Sequence, residues 1–257
     1  MLRFLLSRRW LGLLLAVIVV GVACVELGRW QLRRSFERHD ENLVIARNLT
    51  ASPAPAEEVL SPDRPPESDD EWRVVSAVGT YDVERQLVVS YRTREGAPGV
   101  DVVVPLVTAA GPALLVDRGW VQTQGNANRA VDVPSPPSGT VTVTGWVRKN
   151  AEGGRNQVTP NEGTVRAISS TAIAPTLPYP VYDGFVDLTA EEPAVTPAPA
   201  LVDPPELGPG PHFFYGLQWF FFAVLAFGFW CYFAWSEYRQ RSQPQPGAEV
   251  PRVKDPA

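Results

Sequence analysis

Two long apolar segments frame a polar middle in this 257-residue chain. The first segment, Trp10–Leu27, is apolar except for Glu26, and the second, Phe213–Trp235, contains no charge and one strongly polar residue, Gln218. At about 1.5 Å per residue, the second segment makes roughly 34 Å of helix, which is enough to span a bilayer. We therefore predict transmembrane helices over residues 10–27 and 213–235.

The pattern between these segments predicts a β-rich domain reached through linkers. Residues 28–50 keep a helical spacing of apolar side chains, which predicts a juxtamembrane continuation of the first helix. Residues 51–70 and 193–211 are rich in Pro and are predicted linkers. Residues 71–192 carry short runs of Val, Thr and aromatic residues separated by Gly, Pro or Asp, typical of strands in an antiparallel barrel or sandwich. The predicted strands are Trp72–Tyr81, Gln86–Arg92, Val100–Val107, Ala113–Val121, Val141–Arg148 and Pro180–Leu188.

Charges at the outer flanks of the apolar segments predict the orientation in the membrane. The flanking arginines are Arg3, Arg8, Arg9, Arg239 and Arg241. Because positive flanks stay in the cytoplasm, we expect cytoplasmic termini, residues 1–9 and 236–257, and an extracytoplasmic β domain. The tail is rich in Pro and charge, which predicts disorder. No small-residue cleavage motif follows the first segment, which favours an uncleaved anchor over a signal peptide.

Composition and motif content exclude several classes of function. Residues 28–235 hold sixteen Arg and Lys against twenty-four Asp and Glu, whereas nucleic-acid binding requires a basic surface. The two cysteines, Cys24 and Cys231, fall in the apolar segments at opposite leaflets, so we expect no disulfide. Histidine occurs only as His39 and His212, and common hydrolase, metalloprotease and nucleotide-binding motifs are missing from the sequence. We therefore expect a binding protein rather than an enzyme.

The outer ends of the two apolar segments place polar and aromatic residues at one membrane depth. These residues are Glu26, Arg29 and Trp30 on the first segment and His212, Tyr215, Gln218 and Trp219 on the second. Neutral imidazole is a common ligand of haem iron, and guanidinium suits a haem propionate, so His212 and Arg29 are a candidate haem site. The alternatives are structural. Tyr215 and Trp219 fit an aromatic belt, His212 fits a helix cap or a hydrogen bond to the first span, and Arg29 fits a local pair with Glu26.

A second candidate lies in the β domain, where Asp117-Arg118-Gly119-Trp120 ends an apolar strand. One interpretation is a loop that contacts a partner or the membrane. The other is a strand end with a local ion pair and a core Trp. The residues alone leave both interpretations open.

Ordered motifs along the chain resemble one protein family, the surfeit locus protein 1 (Shy-type) assembly factors of cytochrome c oxidase. Gly28-Arg29-Trp30-Gln31 follows one span, and His212, Tyr215 and Trp219-Phe220 open the other. Between them lie Val78-Gly79-Thr80-Tyr81, Val104-Pro105-Leu106, Leu115–Val121 and Val143–Arg148, in the family's order. The chain departs from the family pattern at Asp117, where Asn is frequent, and at Gly216 and Gln218.

The resemblance implies two transmembrane helices around an extracytoplasmic β domain in a bacterial plasma membrane. It implies a role in maturing a haem-copper oxidase, with the oxidase core subunit, haem a synthase and the lipid bilayer as partners and haem a as a transient cofactor. His212 is then the candidate iron ligand, with Arg29, Tyr215 and Trp219 at the cofactor. For the other motif residues, the resemblance leaves open whether they maintain the fold or contact a partner. These are Gly28, Trp30, Gln31, Arg118, Gly119 and Trp120. Two other interpretations stay open: an accessory subunit retained in the mature oxidase, and an anchored solute-binding domain.

Overall fold

The structure is a computed structural model that describes residues 3–123, 133–208 and 210–242. The chain divides into two compact units, one made of Met1–Asp40 with Gly208–Ala257 and the other of Glu41–Leu207. The predicted disordered tail lies, from residue 243 onward, outside the described residues.

Two long helices dominate the first unit. Helix α1 runs Arg8–Thr50, after a short 3-10 turn at Arg3–Leu6, and helix α5 runs His212–Ser242. Each contains an apolar window long enough to cross a membrane, and most side chains in these windows are exposed, as lipid-facing residues require. At about 1.5 Å per residue, α1 is roughly 64 Å long, so it extends well beyond a bilayer core of about 30 Å. The predicted pair of transmembrane helices is confirmed.

Contacts at one end of the helix pair show that α1 and α5 run antiparallel. Trp10, in the first turn of α1, donates its indole N–H to Glu237 Oε2 at 3.1 Å, and its ring meets Trp230 edge-on at 6.1 Å. The start of α1 therefore lies beside the end of α5. Cys24 and Cys231 are both free thiols, as expected for cysteines at different depths.

The second unit is built on an eight-stranded mixed sheet. The strands are β1 (Ala54–Pro55), β2 (Val74–Tyr81), β3 (Leu87–Arg94), β4 (Ala97–Thr108), β5 (Ala113–Gln122), β6 (Val141–Arg148), β7 (Thr164–Val165) and β8 (Phe185–Glu192). Their order is β1-β2-β6-β8-β5-β4-β3-β7, and a further pairing of β2 with β4 closes five of them into a ring. The sheet is therefore a small barrel rather than a sandwich.

Alternation along the strands fills this barrel with aliphatic side chains. In β6, Val141, Val143 and Val147 are buried and face the interior, while Thr142 between them is exposed. A second apolar cluster covers the outer face of β4 and β5, under β7 and helix α4 (Ser170–Ile173). The six predicted strands correspond to β2–β6 and β8, and the predicted antiparallel character holds for most pairings. The pairing of β5 with β8 is parallel.

The segment 51–70 differs from the predicted extended linker. Strand β1 is followed at once by helix α2 (Ala56–Val59), and Ala56, Val59 and Leu60 are buried in the barrel core. These three residues are spaced i, i+3, i+4, so one helical turn places all of them on one face. The Pro content of residues 51–70 predicted a linker, but the apolar residues of this segment pack into the core and close one side of the barrel. Helix α3 (Arg155–Val158) is a similar single turn.

Candidate functional site

His212 is held at the first residue of α5 by a glutamine of α1. Its Nδ1 lies 2.9 Å from Gln31 Oε1, and Tyr215 N–H donates to the Pro211 carbonyl at 3.2 Å to start the helix. Gln31 Oε1 accepts this hydrogen bond in the tautomer that carries its proton on Nδ1, and in that tautomer Nε2 has the lone pair that a metal ion requires.

Two glycines bring the helices close enough for this hydrogen bond. A Cβ added to Gly28 would lie 2.9 Å from ring carbons of Phe220 and 3.2 Å from the carbonyl oxygen of Gly216. A Cβ added to Gly216 would lie 3.1 Å from Leu32 Cδ2. Small residues allow close approach of helices within membranes, where no hydrophobic effect drives their association. Gly28, Gln31 and Leu32 therefore form the face of α1 that packs on α5.

Arg29 points away from this face and is held along its own helix. It pairs with Glu26 at 3.5 Å, and both side chains are about two-thirds exposed, at 64% and 65%. The alternative of a local Glu26–Arg29 pair is thus confirmed, and the expected juxtaposition of Arg29 with His212 is not seen. Trp30 is about half exposed on α1.

The aromatic residues expected beside His212 lie on α5, and their rings are partly exposed. Tyr215 is 50% exposed, and Trp219 is partly buried and meets Phe222 edge-on at 5.9 Å. Of the residues predicted for the site, His212 and Gln31 are in direct contact, which confirms the structural alternative of a hydrogen bond from His212 to the first span. Gln31 was expected only as a motif residue, although a lone amide on the apolar face of a spanning helix is a signal for an interhelical hydrogen bond.

Arg118 in the β domain is a buried structural cation. It is 0% exposed and forms a two-pronged pair with Glu191, through Nη2 at 2.8 Å and Nε at 3.3 Å. Its Nη1 donates to the Pro134 carbonyl at 2.9 Å, and Tyr81 donates its hydroxyl to Glu191 Oε2 at 3.0 Å. The expected local pair of Arg118 with Asp117 is therefore wrong, because the partner comes from β8. Direct partner contact does not fit Arg118 either, since it has no exposed surface.

Gly119 and Trp120 hold β5 to the segment before α5. Gly119 has φ +115°, and a Cβ there would clash with the Ala200 carbonyl. Trp120 and Ala200 exchange both backbone hydrogen bonds at 2.8 Å. Asp117 accepts the Gly119 N–H at 3.0 Å, which fixes this turn of the strand. Trp120 is partly exposed rather than a core residue, and its ring packs on Gly99. These motif residues therefore maintain the fold.

Three aspartates meet on the outer face of the barrel, on β4, β5 and β8. Burial, together with the charges of Asp101 and Asp187, raises the pKa of Asp117 well above its usual range. Burial raises the pKa of Asp187 to about 6 against the opposing effect of Arg148, which it meets at 3.0 Å. Burial also raises the pKa of Asp101, against the effect of Arg92. In the part of the chain that the structure describes, they form no cluster with metal-ligand geometry.

A model of the SURF1 family matches residues 18–224 of the chain. The chain belongs to the SURF1 family. An uncharacterized SURF1-like protein of Mycobacterium bovis is 30% identical over 262 residues, covering 97% of this chain and 92% of the relative. An uncharacterized SURF1-like protein of Mycobacterium tuberculosis shows the same identity and coverage. The resemblance noted in the sequence is therefore confirmed.

The SURF1 match takes in the structural features described above. It spans the barrel, the Gly28–Gly216 contact and the His212–Gln31 hydrogen bond, and it ends before Trp230. The SURF1 family is membrane-associated and linked to cytochrome oxidase assembly. Membrane location and a part in oxidase assembly follow for this chain.

Proposed function

We propose that this SURF1-family protein is a non-enzymatic assembly factor that holds haem a through His212 and passes it to the core subunit of a haem-copper oxidase. The observation that carries the proposal is the His212–Gln31 hydrogen bond at 2.9 Å. A ligating histidine usually donates its second ring N–H to a neighbouring acceptor, which fixes the tautomer and the ring orientation. Gln31 supplies that acceptor at the end of a membrane-spanning helix.

The surroundings of His212 suit an amphipathic cofactor. Phe214 and Tyr215 are 71% and 50% exposed and offer ring surface beside the imidazole. The haem iron, when bound, supplies the acceptor for the Nε2 lone pair, and the residues of this chain supply its orientation and its apolar cover. Arg29 is paired with Glu26 on another face of α1, so we assign it no contact with a haem propionate.

The proposal includes an orientation in the membrane. With the start of α1 beside the end of α5, the two termini leave the helix pair on one side. Arg8, Arg9, Arg239 and Arg241 lie at that end and support a cytoplasmic location for it by the positive-inside rule. His212 then opens α5 at the outer surface, and haem a synthase and the oxidase core subunit are the membrane partners from which haem is received and to which it is given.

Absorption spectra of the purified protein test the haem site. The full chain, produced in cells that make haem a, should show a Soret band that is lost in His212→Ala. The matched control is His39→Ala, because His39 is the other histidine and is exposed on α1. Gln31→Leu should shift and weaken the band, whereas Gln31→Glu keeps an acceptor and should retain it. A band that is equal in wild type and His212→Ala would remove His212 as the ligand.

Deletion of the chromosomal gene tests the role in assembly. We expect the oxidase to lose haem a content and activity, with both restored by the wild-type chain and not by His212→Ala. Normal oxidase haem content after deletion would contradict the proposal. Stoichiometric co-purification with active, mature oxidase would instead identify a retained accessory subunit, and ligand binding by the β domain with no oxidase defect would identify a solute-binding protein.

A further inference from the structure

A polar cavity in the β domain lies apart from every residue assigned above. It is an open cleft of about 170 Å³ between β3, β7, α3 and the loop after α3, and most of its lining residues are exposed. Its lining residues are Ser90, Tyr91, Asn156, Thr159, Asn161, Thr164, Val165 and Arg166. The domain carries an excess of carboxylates, yet this lining contains one cation and no acidic residue.

A bulge in β3 creates the wall of this cavity. The pairing of β3 with β4 shifts register between Val89 and Arg92, and Ser90 and Tyr91 are the two residues in the shift. Tyr91 has φ +63°, a left-handed conformation that strains a residue with a Cβ. Strained residues and β-bulges are frequent at binding sites, where the surrounding structure holds them in place. Tyr91 is 65% exposed, so core packing does not account for its conformation.

Ser90 presents an unused polar group to the cavity. Its side chain is buried, at 5% exposed, and lines the cavity. Over residues 3–123, 133–208 and 210–242, its hydroxyl makes no hydrogen bond with another protein group. The hydroxyl oxygen is not itself fully buried, so it is open to the cavity and can donate or accept a hydrogen bond there.

Arg166 supplies the positive charge. Its guanidinium lies 5.0 Å from the centre of the Tyr91 ring, and among the described residues it has no carboxylate partner. Arg166 is exposed, so its contact with the Tyr91 ring is a weak one of about 0.5–1 kcal/mol that keeps the guanidinium beside the cavity, with its donors available. Asn156 and Asn161 add amide groups to the same lining.

We propose that this cavity is a binding site for a phosphate group. An arginine with hydroxyl and amide donors matches a tetrahedral oxyanion, because guanidinium forms strong charge-assisted hydrogen bonds with phosphate oxygens. The volume of about 170 Å³ is smaller than the roughly 300–1,000 Å³ usual for pockets that bind organic ligands, which favours a small ion or a single head group. A free phosphate ion and the phosphate of a lipid head group share this chemistry.

Phosphate titration of the full chain in phosphatidylcholine nanodiscs tests the site. Inorganic phosphate should raise Tm of the β domain in a saturating manner, and chloride at equal ionic strength should not. Arg166→Gln should weaken apparent affinity at least about tenfold, and Ser90→Ala about fivefold. Arg64→Gln is the matched control, because Arg64 is an exposed arginine of the same domain, paired with Glu67 away from the cavity.

A second arm distinguishes the two sources of the phosphate. Nanodiscs containing phosphatidylglycerol should reproduce the rise in Tm, and its loss in Arg166→Gln, only if a lipid head group reaches the cavity. A response to inorganic phosphate with no response to the lipid identifies a free ion. If neither source raises Tm beyond the chloride control, or if Arg166→Gln and Ser90→Ala both respond as wild type, the proposal is wrong. Ser90→Ala keeps the test decisive should Arg166→Gln fold poorly.

Discussion

At the scale of single residues, the barrel depends on a buried ion pair that the sequence does not reveal. Arg118 is fully buried and its partner Glu191 lies 73 positions later, with side-chain exposures of 0% and 7%. Burying both charges requires dehydrating them, so the pair adds little net stability compared with apolar residues. Removing one partner is different, because the other charge stays buried and unpaired.

We expect Arg118→Met to lower the free energy of unfolding by about 3–5 kcal/mol, since Glu191 is left buried without its partner. The double variant Arg118→Met with Glu191→Leu should recover most of that loss. Denaturant unfolding of the detergent-solubilised chain, followed by near-UV circular dichroism, measures both. Arg64→Met, which removes an exposed arginine, should change stability by less than about 1 kcal/mol. If the loss of stability in the double variant equals the sum of the two single losses, Arg118 and Glu191 are not energetically coupled.

The aspartates on the outer face of the barrel predict a stability that falls as pH rises. A carboxyl whose folded pKa exceeds its unfolded one near 3.8 binds its proton more tightly in the folded state. The stability contributed by these groups is fully present below about pH 4. It is lost as pH rises through the raised folded pKa of each, about 6 for Asp187.

Asp117→Asn should flatten this dependence, because Asn cannot ionise but keeps the oxygen that accepts the Gly119 N–H. We expect the fall in Tm between pH 5 and pH 8 to be smaller in the variant than in wild type, with the largest gain at pH 8. Thermal scans of the full chain across that range measure it. Asp63→Asn, an exposed aspartate, is the control. Equal slopes in wild type and Asp117→Asn would show that Asp117 does not titrate in this way.

At the scale of elements, the spanning helices meet where both lack a side chain. Gly28 and Gly216 let α1 and α5 approach, and that approach permits the His212–Gln31 hydrogen bond. A larger residue at either position must push the helices apart or displace Phe220 and Leu32. Glycines elsewhere on α1 have no such role, since nothing lies within 4 Å of a Cβ added to Gly21.

We expect Gly28→Leu to separate the outer ends of the helices, and Gly21→Leu to leave them in place. The measurement is oxidative cross-linking of Gln31→Cys with His212→Cys, in a chain whose Cys24 and Cys231 are replaced by Ser. The cross-link should form rapidly in the reference chain and in Gly21→Leu, and at least about tenfold more slowly in Gly28→Leu. Equal rates in all three chains would mean that Gly28 does not control the helix spacing.

Helices and strands could be predicted where a long apolar run or a regular alternation of apolar residues shows which side chains are covered by lipid or core. The apolar runs of α1 and α5 and the alternation of Val141, Val143 and Val147 each identify a face in contact with lipid or core. Helix α2 was missed, because three apolar residues in a Pro-rich stretch are too few to show a period. A hydrogen bond from His212 to the first span was one of the alternatives, but its partner Gln31 was not named, and Glu191 was missed as the partner of Arg118. Both partners are distant in sequence, and only the tertiary pairing brings them together.

At the scale of the whole molecule, the antiparallel helix pair and its flanking arginines predict which parts face the cell exterior. In a chain whose native cysteines are replaced by Ser, Glu95→Cys should react with a membrane-impermeant maleimide in intact spheroplasts. Arg239→Cys should react only after the membrane is permeabilised. Both side chains are exposed, so the difference reports sidedness rather than burial. The reverse pattern would place the β domain in the cytoplasm and exclude an outer-surface haem site.

Among the strands of the described residues, β8 comes last in sequence, yet it lies between β6 and β5. The ring of strands therefore cannot close before Phe185–Glu192 has been synthesised. Until then, the edges of β5 and β6 that pair with β8 stay without a partner strand. Only residues 193–211 separate β8 from α5, an interval of about 1–4 s at 5–20 residues per second. We therefore expect barrel closure and entry of α5 into the bilayer to follow each other closely during synthesis. A chain truncated before Phe185 would be tethered by α1 with an open barrel, a form suited to proteolysis rather than to function.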